Sequence, residues 1–363
     1  MLDVVLRNLA FRHDRGFALA DITFTVPRNT HSALIGPPAC GASTLLRVIA
    51  GALHPSGGDV ILGQRRINDL KRANRPLLFT TSELDVPQRW SVQHALVAAV
   101  RTRKLDREDR HREYVLAAET WELAPLLERR ISTLSSTERT RVLLARIELL
   151  RPAVLLADRL LEGVSPSARA GLADAFFRML RVHGTTVLTA PASREELAVA
   201  DTVIVLDRGQ LVQSGTPAEV FARPDADAAA LATGEVDLIP ITIRGHEVDS
   251  VIGSWLLDAP PFQGSGVALV RPSDFFAAKP GEDSDFVFGV EEAGFADGRW
   301  IATGVLSGGI TLRVELPRET VVHKGRLLAL RYDPARFRLL ARETEPLQTR
   351  VPTDVVPPMR ETR

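Results

Sequence analysis

The stretch SALIGPPACGASTLLRVIAGAL, residues 32–53, decides how the rest of the chain is read. A short apolar run at 32–35 enters a turn that holds Gly36 and Gly41. Residues 43–52 follow with the helical spacing of Leu45, Leu46 and Ile49. Strand, glycine turn and helix start, in that order, make the layout of a phosphate-binding loop, G-x-x-x-x-G-K-[ST]. Such a loop aims backbone N–H groups and the positive end of the helix at phosphate oxygens. Gly36 and Gly41 occupy the two outer glycine positions, and Ser43, followed by Thr44, stands where a hydroxyl holds Mg2+. The lysine position is Ala42, whose methyl group cannot offset phosphate charge, and Pro37 and Pro38 remove two N–H donors. Taken alone, this stretch fits a plain strand–turn–helix connection equally well.

Working outward, strand-like runs at 59–62, 76–79, 153–157, 185–189 and 202–206 alternate with helical patterns at 91–103, 138–150 and 167–182. That alternation predicts an α/β domain with a largely parallel sheet. Near Gly234 the character changes. Short apolar runs at 239–243, 267–271, 286–290, 300–305, 310–314 and 327–332, separated by glycine and proline, predict a small all-β barrel or sandwich. The expected organisation is therefore 1–233, 234–345 and a loose tail at 346–363.

Composition narrows the function classes. The 363 residues carry 45 basic and 45 acidic side chains, so no net positive field favours nucleic acid. Only Lys71, Lys104, Lys279 and Lys324 are lysine, and an arginine-favouring codon bias explains that scarcity but not an alanine at residue 42. One cysteine, Cys40, excludes an intramolecular disulfide and fits a reducing compartment. The N-terminal residues lack the apolar core of a signal peptide, and no apolar run is long enough to span a bilayer. A membrane role is expected only through a partner.

After the loop, LLRVIAGAL (45–53) and PSGGDVILGQRRI (55–67) carry a specific resemblance. From about residue 3 to residue 225 the chain resembles the ATPase subunits of ATP-binding cassette (ABC) transporters, especially importer subunits with a C-terminal β domain. The resemblance implies a P-loop NTPase-like ABC cassette followed by a small OB- or TOBE-like domain. It also implies ATP and Mg2+ as ligands, against which the lost lysine and the two prolines count. The family signature LSGGQ or LSGGE stands here as Leu134-Ser135-Ser136-Thr137-Glu138, keeping Ser135 and Glu138 but neither glycine. In the family that loop presses its backbone on the γ-phosphate of the opposite subunit, an approach that Cβ atoms obstruct.

Residues 153–158 match the Walker B strand, with Asp158 at the position that supports Mg2+. The next position, the family's catalytic glutamate, is Arg159, which stays protonated and cannot serve as a base. The aspartate that contacts the opposite subunit becomes Ser165, and the switch histidine becomes Pro191 or Ala192. The Q-loop glutamine is replaced near Thr80 and Thr81, and the resemblance offers Phe11 as the ring that stacks adenine. His183 belongs to a helix–strand turn and is no substitute switch. Arg159 either meets phosphate or pairs with Glu162.

Phosphoryl transfer depends on positioned charge, so these combined losses imply a chain with no catalytic residues of its own. Vestigial nucleotide and Mg2+ contacts are expected at Phe11, Gly36, Gly41, Ser43, Thr44, Ser135, Glu138 and Asp158. The expected role is that of a pseudo-ATPase on the cytoplasmic face of the inner membrane. Its partners would be an integral-membrane permease and a second, intact ABC ATPase, or a second copy of itself. Two other roles stay open: an active ATPase using other residues, and a soluble regulatory module that binds ligand or protein through its β domain. In that domain, VALVRPSD (267–274) is similar to the V-R-P-E segment of importer ATPases, which implies dimer contact.

Overall fold

The computed structural model describes residues 2–13, 16–222, 224, 229, 232, 236–279, 281–296 and 298–341. The chain divides into two compact units, Met1–Glu235 and Val236–Arg363. Residues 233–234, where the sequence changes character, and the tail at 346–363 lie outside the described residues.

The first unit opens with β1 (Val4–Arg12) and β2 (Ala18–Val26), then β3 (His31–Ile35) and α1 (Ala42–Ile49). The chain continues through β4 (Gly57–Leu62), β5 (Arg65–Arg66), β6 (Leu78–Thr81), α2 (Val92–Val100), α3 (Arg107–Thr120) and α4 (Ser136–Leu150). It closes with β7 (Val154–Asp158), α5 (Pro166–Val182), β8 (Thr186–Ala190), β9 (Thr202–Asp207), β10 (Gln210–Gly215) and α6 (Pro217–Ala222). The main sheet has the order β10-β9-β3-β8-β7-β6, parallel throughout except for the edge strand β10. A second, antiparallel sheet has the order β2-β1-β4-β5.

Two-residue periodicity explains the layering. Val154 and Leu156 of β7 join a core with α1 and the antiparallel sheet, whereas Leu155 and Ala157 join a core with α2 to α5. Likewise Leu34 faces α1 while Ala33 and Ile35 face Leu197 and Val220. With both faces covered, β3, β7 and β8 are buried at every position, as parallel strands require. At the head of β3, His31 is buried, its ring stacked on Phe177 at 4.1 Å and its Nε2 2.9 Å from Thr189 Oγ1. Burial lowers its pKa to about 4, so the ring is neutral.

The second unit is all β. Strands β11 (Asp237–Arg244), β12 (Glu247–Ser250), β13 (Gly253–Leu256) and β14 (Gly264–Val270) come first. They are followed by β15 (Phe275–Ala277), β16 (Phe286–Gly289), β17 (Glu292–Ala296), β18 (Arg299–Leu306), β19 (Ile310–Leu316), β20 (Leu327–Tyr332) and β21 (Arg338–Ala341). They form antiparallel sheets of order β13-β12-β11-β14-β21, β15-β20-β16 and β17-β18-β19. Alternating buried residues Ile239, Ile241 and Ile243 of β11 meet Ala302, Leu312 and Val314 in one core.

Several sequence expectations shift. Residues 4–26 form two antiparallel strands that the apolar pattern alone does not announce, and α3 is an additional helix. The strand expected at 76–79 is Leu78–Thr81, because Pro76 has no N–H to give a ladder. The run at 59–62 lies in the antiparallel sheet, outside the parallel one.

Candidate functional site

The carboxyl ends of the parallel strands gather the residues singled out in the sequence. Thr81, Asp158 and Ala190 stand in register at the ends of β6, β7 and β8. In open α/β sheets this edge is where ligands bind. A cleft of about 290 Å3 opens there, lined among others by Gly36, Ala42, Ser43, Arg159, Pro191 and Arg194. A larger open groove of about 1500 Å3 runs along α2 and α3, remote in sequence from every motif of the loop.

The loop between β3 and α1 is tightly determined. A Cβ on Gly36 would lie 2.0 Å from the Leu206 carbonyl oxygen, so only glycine fits. Gly41 has φ +108, in the left-handed region, and is the N-cap of α1 without giving a side-chain cap. The first-turn N–H groups of Ala42, Ser43 and Thr44 have no intrahelical acceptor, Gly41 offers no side chain to cap them, and the Ala42 N–H meets the Cys40 thiol. Ser43 Oγ donates to Asp158 Oδ1 at 2.8 Å, and Asp158 is only 5% exposed. Cys40 is buried and burial pushes its thiol pKa up, which leaves it a packing residue of the turn.

Arg159 follows Asp158 in a left-handed conformation, φ +53, and its N–H donates to the Ala190 carbonyl at 2.7 Å. Its guanidinium pairs with Glu162 at 2.6 Å. The position after β8, where the resemblance asks for a histidine, carries Pro191 and Ala192 at the cleft wall. The Ala192 N–H donates to the buried carboxyl of Glu196 at 3.0 Å. Desolvation raises the pKa of Glu196, partly offset by that same hydrogen bond. Thr80 and Thr81 end β6, where the Thr80 hydroxyl donates to the Thr81 carbonyl. His183 lies just past α5, away from the strand ends.

Ser135 and Glu138 have a complete structural use. Ser135 is the N-cap of α4 and forms a capping box with Glu138. The Ser135 N–H and hydroxyl both donate to Glu138, and these contacts hold its carboxyl below the usual range. Neither residue lines the cleft.

Phe11 is a correction. It is 7% exposed and packed among Leu6, Leu9 and Leu19, so its ring is a core element with no face for a base. The reason is local. Asn8, at φ +47, breaks the alternation of β1, and the new phase turns Leu9 and Phe11 inward. Arg194, by contrast, had no motif to announce it. It is exposed and makes no ion pair or hydrogen bond among the described residues, yet it lines the cleft beside Ser43.

No cluster of histidine, cysteine or carboxylate suited to a metal occurs among the described residues. Among them, no helix is long and apolar enough to cross a membrane.

Comparison with known proteins agrees with this architecture. Residues 19–160 match the family model described as ABC transporter. An sn-glycerol-3-phosphate import ATP-binding protein of Rhodopseudomonas palustris is 29% identical over 276 residues, 76% of this chain and 74% of the relative. An Fe(3+) ions import ATP-binding protein of Escherichia coli is 27% identical over 284 residues, 77% of this chain and 81% of the relative. Among solved structures, a cassette of the cbiONQ transporter complex of Clostridium perfringens superposes with a TM-score of 0.54 at 22% identity. It covers 61% of this chain and 90% of its own. The Met1–Glu235 unit therefore has the fold of an ABC cassette, and the chain is similar in sequence to ATP-binding proteins of ABC importers.

Proposed function

We propose that this chain is the cassette subunit of an ABC importer and has given up its own ATP hydrolysis. It would act as a structural or regulatory partner of an active ATPase, held at the cytoplasmic membrane face by a permease. The observation that carries this reading is Arg159. It occupies the place of the family's general base, it lines the cleft beside Ser43, and its guanidinium is turned to Glu162. A permanently protonated side chain cannot take a proton from water. Ala42 and Pro191 at the same cleft remove two further groups that act on phosphate.

The residues present still fit ATP and Mg2+ in part. Ser43 and Asp158 would hold Mg2+, and the uncapped N–H groups of α1 would meet phosphate. What Mg2+ supplies when bound is charge neutralisation on the phosphates. The chain's own residues orient the ligand but offer no base for its attack by water. The losses do not multiply independently, because such groups work as a unit.

Purified chain should release no phosphate from Mg-ATP above the rate of an Asp158→Asn control. Turnover well above that control would favour an active ATPase using other residues. The native complex should contain a permease and a second cassette chain. Its isolation with this cassette alone would remove the partner role, and its isolation without a permease would favour a soluble regulatory module. The VRPS segment, with Arg271 N–H donating to Asp274 at the start of a buried turn, supports an importer-type accessory domain for Val236–Arg363.

A further inference from the structure

Strand β17 differs from every other strand of the second unit. Each of the others has buried or half-buried side chains, whereas Glu292, Ala293, Gly294 and Phe295 are all exposed. β18 holds β17 along one edge, and the other edge has no strand beside it among the described residues. Natural sheets blunt such an edge with lysine, proline, a bulge or an inward-pointing charge. β17 reads EAGFA and keeps an unbroken register with β18, so it has no lysine, proline or bulge. Its one charge, Glu292, stands opposite Thr303 on the outer face.

Phe295 and Ala293 stand opposite Trp300 and Ala302, on the face of the sheet that buries Ala302, Val314 and Leu316. The Phe295 ring lies 5.1 Å from Trp300, yet the residue is 50% exposed. The core face of this sheet thus runs past the core onto an open edge. An apolar ring beside a free strand edge is the setting in which a further strand adds.

The sequence of β17 points to the occupant. Gly294 is the middle of its five residues, so a two-fold axis through it pairs all five with those of a second copy. Phe295 then faces Ala293 of the copy and Glu292 faces Ala296, so neither ring nor charge meets its like. Gly294 faces itself, and a Cβ there would meet nothing within 4 Å. We propose that β17 is an interface between two copies of this chain, joined antiparallel about Gly294 into one six-stranded sheet from two three-stranded ones. This surface is separate from the VRPS segment, whose strand β14 lies in another sheet. It also does not depend on whether the first unit hydrolyses ATP. Five paired residues bury less than the roughly 1,200 Å2 of a standard interface, so the dimer should exchange in the micromolar range.

Analytical ultracentrifugation of the full chain without nucleotide, from about 1 to about 100 μM, tests the proposal. The parent should pass from monomer to dimer across that range. Gly294→Glu sets two carboxylates face to face beside Glu292 and should weaken the dimer at least about tenfold. Gly294→Lys also opposes itself but should weaken it less, because Glu292 of the copy lies on the diagonal. Neither substitution strains the single chain, since Gly294 lies outside the left-handed region and has open space at its Cβ. Circular dichroism and melting check that both variants are folded. An equimolar mixture of the two variants should recover the dimer at the parent's affinity or better, a rescue that requires residue 294 of one chain to meet residue 294 of the other. A parent that stays monomeric to about 100 μM overturns the proposal and leaves the edge to a partner of another kind. A dimer that both variants keep, or a mixture that stays monomeric, overturns it equally.

Discussion

The two helix starts that matter most in the first unit, those of α1 and α4, are built in opposite ways. At α1, Gly41 has no side chain with which to cap the first-turn N–H groups. At α4, Ser135 and Glu138 exchange hydrogen bonds in a capping box and use up their own polar groups. One end leaves its positive pole without a cap from its N-cap residue, and the other neutralises its pole from within. Persistence of a motif letter therefore means different things at the two places. Ser43 reaches across the cleft to Asp158, whereas Ser135 and Glu138 bond to each other at the start of their own helix.

Forcing the backbone of the open end should give the largest effect. In Gly36→Val the new Cβ would sit 2.0 Å from the Leu206 carbonyl and 2.7 Å from Cys40 Cβ. The backbone must move, at a cost of about 4 kcal/mol or more. Urea unfolding should show a lowered midpoint or an unfolded variant. If stability were retained within about 1 kcal/mol, the loop would not be the tightly determined feature that makes α1 different from α4.

Acid should strain the same side next. His31 opens the strand that feeds α1, and burial lowers its pKa from 6.5 to about 4. The unfolded chain thus binds a proton below pH 6.5 that the folded chain refuses until about pH 4. The contribution is fully present above pH 6.5 and is lost as pH falls toward 4, at about 1.4 kcal/mol per pH unit and about 3 kcal/mol in all. Denaturant titrations at pH 7, 6, 5 and 4.5 should show this slope in the parent chain. In His31→Gln the slope should flatten by about 1 kcal/mol per pH unit, whatever the variant's absolute stability. An unchanged slope would mean that the ring is already charged or solvated.

How much of this was legible beforehand depended on whether chemistry was local. The strand–turn–helix at 32–53 could be read, because glycine spacing and apolar period act within a few residues. The capping box at 135–138 is also legible as a letter pattern, Ser followed three residues later by Glu. Helix α3 was not legible from periodicity, since only Tyr114, Ala117 and Ala118 are buried along its length; its signal was the cap Asp106 with Glu108 and Asp109 behind it. The burial of Phe11 is not legible, because a single left-handed residue, Asn8, resets which side of β1 faces the core. Arg194 could not be found at all. Its place in the cleft depends on how the turn after β8 returns past the phosphate loop, a non-local matter that no motif letter encodes.

The smallest effect should come from the closed end, and it separates the two helix starts most directly. In Ser135→Ala the capping hydroxyl is lost, along with its bonds to Glu138. The backbone N–H of Ser135 can still donate to Glu138, so half of the box survives. The expected destabilisation is therefore about 1 kcal/mol, the usual scale of an N-cap. Neither Ser135 nor Glu138 lines the cleft, so the affinity of the isolated chain for Mg-ATP should stay within about twofold of the parent. A stability loss with unchanged binding would place these residues wholly in the service of α4. A binding loss without a stability loss would reverse the assignment and make the start of α4 a ligand contact after all.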